Sequence, residues 1–375
     1  DNAAAALRTD TERAPKVRAQ MAFTVGKVYF SLAQHQEAIQ LLELSEAEAR
    51  AAKDKKQEAS ATCELAALHS YLQKDIDKAK RALTSCYDLR MEVFGPDSPD
   101  TALATQHLAY FTGQVGDWAK SAELSTEAVR VLRKFPNRKN ELVYALEVAG
   151  EAKSNLGQND EALAYLNQAL AVCKERGDDG KSQLAIVHNK LSLHFRRNDQ
   201  TDLAIENAQA AVNILEEILG PEHPELAPNL NNVGLLLMDR GKPIEGMPYV
   251  GRAIAINKKA LGPEHWTVGF TTRSLALVHL AAGNGDTAET LAREALEIVI
   301  AALGPGHLRT AQVRAAAAKI LLAQGQPREA SKLAEQAQTT FLKMMGPDSP
   351  DAVKNAKTLD ALRSNSAVAA GDGAE

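Results

Sequence analysis

The sequence predicts an all-α superhelix of about eight helical hairpins closed by a C-terminal capping helix, and three observations carry that prediction. A phrase built on Gly-Pro returns at Gly220-Pro221-Glu222-His223-Pro224, Gly262-Pro263-Glu264-His265, Gly304-Pro305-Gly306-His307 and Gly346-Pro347-Asp348-Ser349-Pro350, each 42 residues after the last. Self-similarity at such a period marks a solenoid of stacked units. The phrase also ends one helix and begins another: Gly takes the left-handed position past a helix C-terminus, Pro forbids continuation, and the polar residue that follows caps the next helix. Finally, aligning the units brings three columns of small residues into register through the whole array.

Taken in order, residues 1–12 are polar and Ala-rich and are expected to be a disordered leader. The first hairpin then has helix A at 17–32, a turn at Ala33-Gln34-His35 and helix B at 36–52, with Met21, Val25, Val28 and Leu32 at helical spacing. A worn joint near Lys53-Asp54 opens the second hairpin, and Gly95-Pro96-Asp97-Ser98-Pro99, 125 residues before Gly220, opens the third. That distance is one residue short of three periods, so two further worn joints are expected, at Phe135-Pro136-Asn137 and Gly177-Asp178-Asp179-Gly180. The array therefore occupies 13–346 as one continuous body. Residues 347–363 read as the capping helix, with Ser349 as N-cap, Pro350 at the first helical position and Val353, Ala356, Leu359 and Leu362 on one stripe. The last stretch, 364–375, is expected to be a disordered tail.

The first small column, in helix A, reads Gly26, Ala66, Ala109, Gly150, Ser192, Gly234, Ala276 and Ala318. The second and third, in helix B, read Ala38, Ala79, Ala122, Ala162, Ala204, Gly246, Ala288, Ala330 and Ser45, Cys86, Val129, Ala169, Ala211, Ala253, Ala295, Ala337. Small residues in register let paired helices approach closely. Trp118, at an A-to-B turn, is expected to pack against the neighbouring helix.

Composition narrows the function. A net charge of -5 gives no electrostatic reason to expect nucleic acid. The longest apolar run, 298–303, is far too short to span a membrane. Three cysteines, Cys63, Cys86 and Cys173, are too few and too widely spaced for a disulfide framework, which fits a reducing, cytoplasmic compartment. His223, His265 and His307 recur one repeat apart and cannot converge on one metal ion, so they read as joint-capping residues. Gly177-Asp178-Asp179-Gly180-Lys181-Ser182 ends like a phosphate loop but lacks its spacing and its preceding strand. No residue set suggests a nucleophile, a general acid-base pair or a cofactor, and the chain is expected not to be an enzyme.

A small residue at position eight of helix A, followed by Ala at positions 20 and 27, resembles the tetratricopeptide repeat. The 42-residue period, with Leu230-Asn231-Asn232-Val233-Gly234 and Leu219-Gly220-Pro221-Glu222-His223-Pro224, is similar more narrowly to the repeats of kinesin light chains, above all their bacterial relatives. The match is close over 185–346 and looser before it. The heptad segment that precedes the repeats of eukaryotic kinesin light chains is absent.

That resemblance implies that helix A lines a concave groove, with positions three before and one after the small residue facing it. Those positions include Phe23/Lys27, Cys63/Ala67, Gln106/Tyr110, Glu147/Glu151, Asn189, Asn231 and Arg273, and Arg196 lies a turn beyond Asn189. Gln106, Asn189 and Asn231 suit an extended peptide backbone because an amide both donates and accepts, while the mixed charges suit a mixed-charge or amphipathic segment. The expected function is a non-enzymatic adaptor for a protein or peptide partner, a cytoskeletal one of the bacterial tubulin type among them. The alternative is the regulatory repeat region of a larger signalling enzyme such as a Ser/Thr kinase.

Overall fold

The computed structural model describes residue 7 and residues 13–32, 34–72 and 76–371. Among the described residues there are seventeen α-helices, one short 3-10 turn and no strand. They alternate as the repeat requires. The hairpins are α1 Pro15–Ser31 with α2 His35–Ala51, α3 Lys55–Leu72 with α4 Ile76–Phe94, α5 Pro99–Gln114 with α6 Trp118–Leu132, and α7 Lys139–Asn155 with α8 Asn159–Glu175. They continue with α9 Lys181–Arg197 and α10 Thr201–Leu219, α11 Leu226–Asp239 and α12 Pro243–Leu261, α13 Trp266–Ala281 and α14 Gly285–Leu303, and α15 Leu308–Ala323 and α16 Pro327–Met345. The closing helix is α17, Pro350–Gly371. The chain divides into two compact units, Asp1–Val172 and Cys173–Glu375. The leader expected at 1–12 lies outside the described residues apart from Leu7, as do residues 372–375 of the expected tail.

The joints form as the Gly-Pro phrase dictates. Gly95, Gly220, Gly262, Gly304 and Gly346 all have positive φ, between 76° and 88°, past the ends of the B helices. At the worn joint near Lys53-Asp54, Lys53 itself takes φ 54°, a conformation that costs a residue with a Cβ. Nδ1 of His265 and His307 accepts from the backbone N–H two residues on, at 3.3 and 3.0 Å, which makes both the N-caps of α13 and α15, while His223 Nδ1 accepts from Glu225 N at 3.3 Å in the turn just before α11. Ser349 Oγ likewise accepts from Ala352 N at 3.4 Å. Among the described residues no cluster of His, Cys, Asp and Glu could hold a metal ion, and no helix is long and apolar enough to cross a membrane.

All three small columns are buried throughout, from Gly26 in α1 to Ala337 in α16. They are the seams along which A and B helices meet. In the sixth hairpin the fit leaves no room for a side chain: a Cβ built on Gly234 would lie 2.9 Å from the carbonyl oxygen of Gly246 and 2.3 Å from Val250 Cγ2. Trp118 packs its ring over Gly113, where a Cβ would meet it at 2.9 Å.

Two stripes differ from the sequence reading. In α1 the covered face is Ala19, Ala22, Gly26 and Tyr29, while Met21, Val28 and Leu32 are exposed. Close approach of α2 selects the small residues there, so the larger apolar stripe ends outside the seam. In α17 the buried stripe is Ala352, Asn355, Leu359 and Leu362, and Val353 is exposed. Asn355 can be buried because its amide donates at 2.8 Å both to the carbonyl of Ala334 and to Gln338 Oε1.

A larger correction concerns the cysteines. Cys63 and Cys86 form a disulfide, with their Cα atoms 4.8 Å apart. Twenty-three residues separate them in sequence, but the hairpin folds α4 back along α3 and brings them together. The reducing, cytoplasmic compartment inferred from cysteine count therefore loses its support.

Candidate functional site

Within each unit, A helices touch the A helices of neighbouring hairpins: α1 with α3, α3 with α5 and α5 with α7 in the first, α11 with α13, α13 with α15 and α15 with α17 in the second. No comparable contact joins two B helices among the described residues. The A helices thus form the tighter, inner surface of each stack, which is where the candidate residues were expected.

In the first unit these residues do not share one environment. Tyr110 on α5 is exposed, and its ring centroid lies 5.9 Å from that of Tyr144 on α7. Gln106 and Glu147, by contrast, are each only 3% exposed, so this part of the expected groove lining is covered. Gln106 Oε1 has no hydrogen-bond partner. Burial, then the neighbouring Tyr110, Glu147 and Glu151, pushes the Tyr144 phenol well above its ordinary range. Glu151 is half-buried on the same helix as Glu147. Two cavities open on this surface. One of ≈ 290 Å³ is bounded by His107, Tyr110, Phe111, Gln114 and Tyr144, and the other, also ≈ 290 Å³, by Phe23, Lys27, Cys63, Glu64, Cys86, Arg90 and His107 among others. Lys27 and Glu64 pair at 3.1 Å across the second. His107 lines both, and burial holds its imidazole below the ordinary range, against the pull of Glu64 and with the push of Arg90.

The second unit carries a polar and cationic surface. Asn189 on α9 and Asn231 on α11 are half-buried at corresponding positions of successive hairpins. The buried Asn232 donates at 3.3 Å to Asn189 Oδ1 and to Ser192 Oγ, tying α11 to α9. Asn231 Oδ1 is buried and has no hydrogen-bond partner. Arg196 sends Nε and Nη2 to Asp239 Oδ2, at 2.7 and 2.6 Å. Its charge is therefore already paired.

Arg273 on α13 is different. Its guanidinium lies over the Phe270 ring at 3.9 Å, and its Nε is buried without a hydrogen-bond partner. Arg309 of α15 approaches the same ring at 5.0 Å and the Trp266 ring at 5.7 Å. Trp266 is thus half-buried in a stack of cations and aromatics, edge-on to Phe270 with centroids 6.2 Å apart. Burial pushes Arg273 down to about 10, Arg309 and Arg196 add to that, and Asp351 opposes it. Desolvation and two like charges outweigh the single carboxylate. The surface that results can hydrogen-bond a backbone and neutralise an anion.

Asn189, Arg196, Asn231 and Arg273, named from the sequence register, lie on the A helices α9, α11 and α13 of the second unit. The register missed Asn232, Asp239, Phe270 and Arg309. Asn232 was legible only as a doubled Asn, while Phe270 and Arg309 stand 39 residues apart and meet only because consecutive A helices are neighbours.

Comparison with known proteins gives the repeat class. Tetratricopeptide repeat models match residues 143–175, 230–267 and 267–343. No curated protein matches the sequence. Among solved structures, the chain is similar to the Rap conjugation gene regulator of plasmid pLS20 in complex with the Phr* peptide, at 12% identity and TM-score 0.58, covering 88% of this chain and 94% of that one. It is similar to a STAND signal transduction ATPase with a tetratricopeptide repeat sensor from Pyrococcus horikoshii, at 15% identity and TM-score 0.58, covering 95% of this chain and 50% of that one. A further similarity, to BtubC (BKLC) from P. vanneervenii, has 19% identity and TM-score 0.49, covering 62% of this chain and 92% of that one.

Proposed function

We propose that this tetratricopeptide-repeat chain is a non-enzymatic adaptor, and that the A-helix surface of its second unit holds an extended, carboxylate-bearing segment of a partner protein. The observation that carries the reading is Arg273: a desolvated cation stacked on Phe270, with Arg309 beside it and its Nε unsatisfied. A buried charge without close compensation is costly, and an incoming carboxylate offsets that cost. Asn231, with a free buried acceptor one hairpin earlier, can take a backbone N–H of the same segment. The mixed-charge expectation is thereby narrowed, since the acidic Glu147 and Glu151 belong to the other unit. The partner is defined by this chemistry, an acidic segment in extended form, and a cytoskeletal protein meets it only by carrying one.

A fluorescein-labelled Glu-rich peptide, followed by polarisation, tests this. Arg273→Gln is expected to weaken binding at least about tenfold, the scale of one desolvated charge pair, and Asn231→Ala a few-fold, with melting temperatures nearly unchanged. A Lys-rich peptide should not bind. Equal affinity of wild type and Arg273→Gln would overturn the assignment. The likeness to half of a sensor-bearing STAND protein supports a second reading, in which the array is the regulatory region of a larger signalling enzyme. A catalytic domain in the complete reading frame would favour it.

A further inference from the structure

We propose that the Cys63–Cys86 disulfide is a thiol-exchange site open to the inner surface of the first unit, with a small thiol as substrate and Cys63 as the sulfur attacked. The repeat register puts it there. Cys63 occupies the position three before the small residue Ala66, where other hairpins carry Gln106, Glu147, Asn231 and Arg273. Cys86 occupies the third small column, so the bridge ties the groove wall to the seam of its own hairpin. Both cysteines border the ≈ 290 Å³ cavity that Lys27, Glu64 and Arg90 also line, which leaves room for a small thiol. Cys63 is partly exposed whereas Cys86 is 2% exposed, so an incoming thiolate meets Sγ of Cys63 and Cys86 is the leaving group.

A second, independent feature serves the leaving group. Arg90 stands one turn beyond Cys86 on α4 and lines the same cavity. Its Nη1 reaches Asp100 at 3.5 Å, but its Nε is buried with no hydrogen-bond partner. A cation and a spare N–H donor beside a departing thiolate stabilise it and speed its departure. In the first step the thiolate RS⁻ forms a bond to Cys63 sulfur as the Cys63–Cys86 bond breaks, the electron pair leaves on Cys86, and solvent supplies its proton. A second RS⁻ then attacks the sulfur of the RS group, RSSR departs, and the electron pair stays on Cys63. The two thiols have supplied two electrons, and the chain ends with two free thiols. This chemistry does not depend on what partner the second unit takes.

The test uses the intact oxidised chain under native conditions, with 2-mercaptoethanol as the thiol, iodoacetamide as the quench and peptide mapping by mass spectrometry as the readout. The mixed disulfide is expected on Cys63 with the alkyl group on Cys86. Arg90→Gln should slow exchange at least about fivefold, Arg90→Lys should recover part of that rate, and both should melt close to wild type. Three results would each overturn the proposal: an adduct on Cys86, exchange that proceeds only in step with global unfolding in urea, or an unchanged rate in Arg90→Gln. Free thiols at both positions in the air-oxidised chain would do so as well.

Discussion

At Gly234 a single methyl group decides whether the sixth hairpin closes. A Cβ there would sit 2.3 Å from Val250 Cγ2 and 2.9 Å from a carbonyl oxygen, and neither α11 nor α12 can yield without opening the seam. Gly234→Ala is therefore expected to destabilise by about 1–3 kcal/mol in urea unfolding, the usual cost of overpacking. Gly251, within α12, has nothing within 4 Å of its built Cβ. Its Gly→Ala change should instead stabilise by about 0.5–1 kcal/mol, because the unfolded chain loses freedom and helix propensity rises. His307 supplies a residue-scale pH test. Its Nδ1 must be unprotonated to accept from Arg309 N, and burial, then Arg309, holds its imidazole below the ordinary 6.5. The unfolded chain binds that proton more readily, so the stability from this cap is complete above 6.5 and is lost as pH falls from there through the folded value. Thermal melts on either side of that value should differ less in His307→Asn, which caps without titrating; an undiminished difference would assign the pH dependence to other groups.

Helices pair by two separate devices, and only one was legible in the sequence. The A-to-B seams follow from small residues at fixed offsets, and each of the twenty-four column positions is buried as the period implied. Successive B helices are joined instead by long side chains reaching across a repeat, as Arg252 does to Glu216 at 2.5 Å and Lys258 to Glu294 at 3.9 Å. Charge alone is common on any helix face, so nothing in the sequence distinguishes these pairs from solvated residues. The disulfide was missed for a related reason: spacing judged along the chain ignores that an A helix and its B helix run antiparallel. Arg293 is the most connected of the bridging cations, 2.9 Å from Glu289 on its own helix and 2.7 Å from Glu329 on α16. Its hydrogen bonds hold Glu329 below the carboxylate range, and Gln326, then Arg293, does the same for Glu289. These groups contribute stability above the ordinary 4.5 that is lost as pH falls through their lowered folded values. Because the pairs are solvent-screened, Arg293→Ala should cost less than about 1 kcal/mol near neutrality. In urea titrations the difference from wild type should shrink as pH falls from 4.5 through the lowered folded values of Glu289 and Glu329.

For the molecule as a whole, net charge is a poor guide to where a partner binds. The chain carries -5 overall, yet Arg196 and Arg309 both come close enough to Arg273 on one inner surface to make its charge harder to hold. Only the fold could reveal this concentration, since the three residues come from three hairpins. The first unit gathers Tyr110, Glu147 and Glu151 around Tyr144, and its groove cation Lys27 is already paired with Glu64 at 3.1 Å. Each unit also has its own apolar clusters: one runs from Ala66 to Val148, another from Ala185 to Ile256. A unit with its own core and its own charged surface should bind without the other. A fragment of residues 173–375 is accordingly expected to bind the Glu-rich peptide within about twofold of the full chain. Binding should weaken as salt rises, because the attraction is between charges at a partly exposed surface. A fragment of residues 1–172 should not bind it. Failure of a folded 173–375 fragment to bind, or binding by the first unit, would locate the anion preference elsewhere than at Arg273.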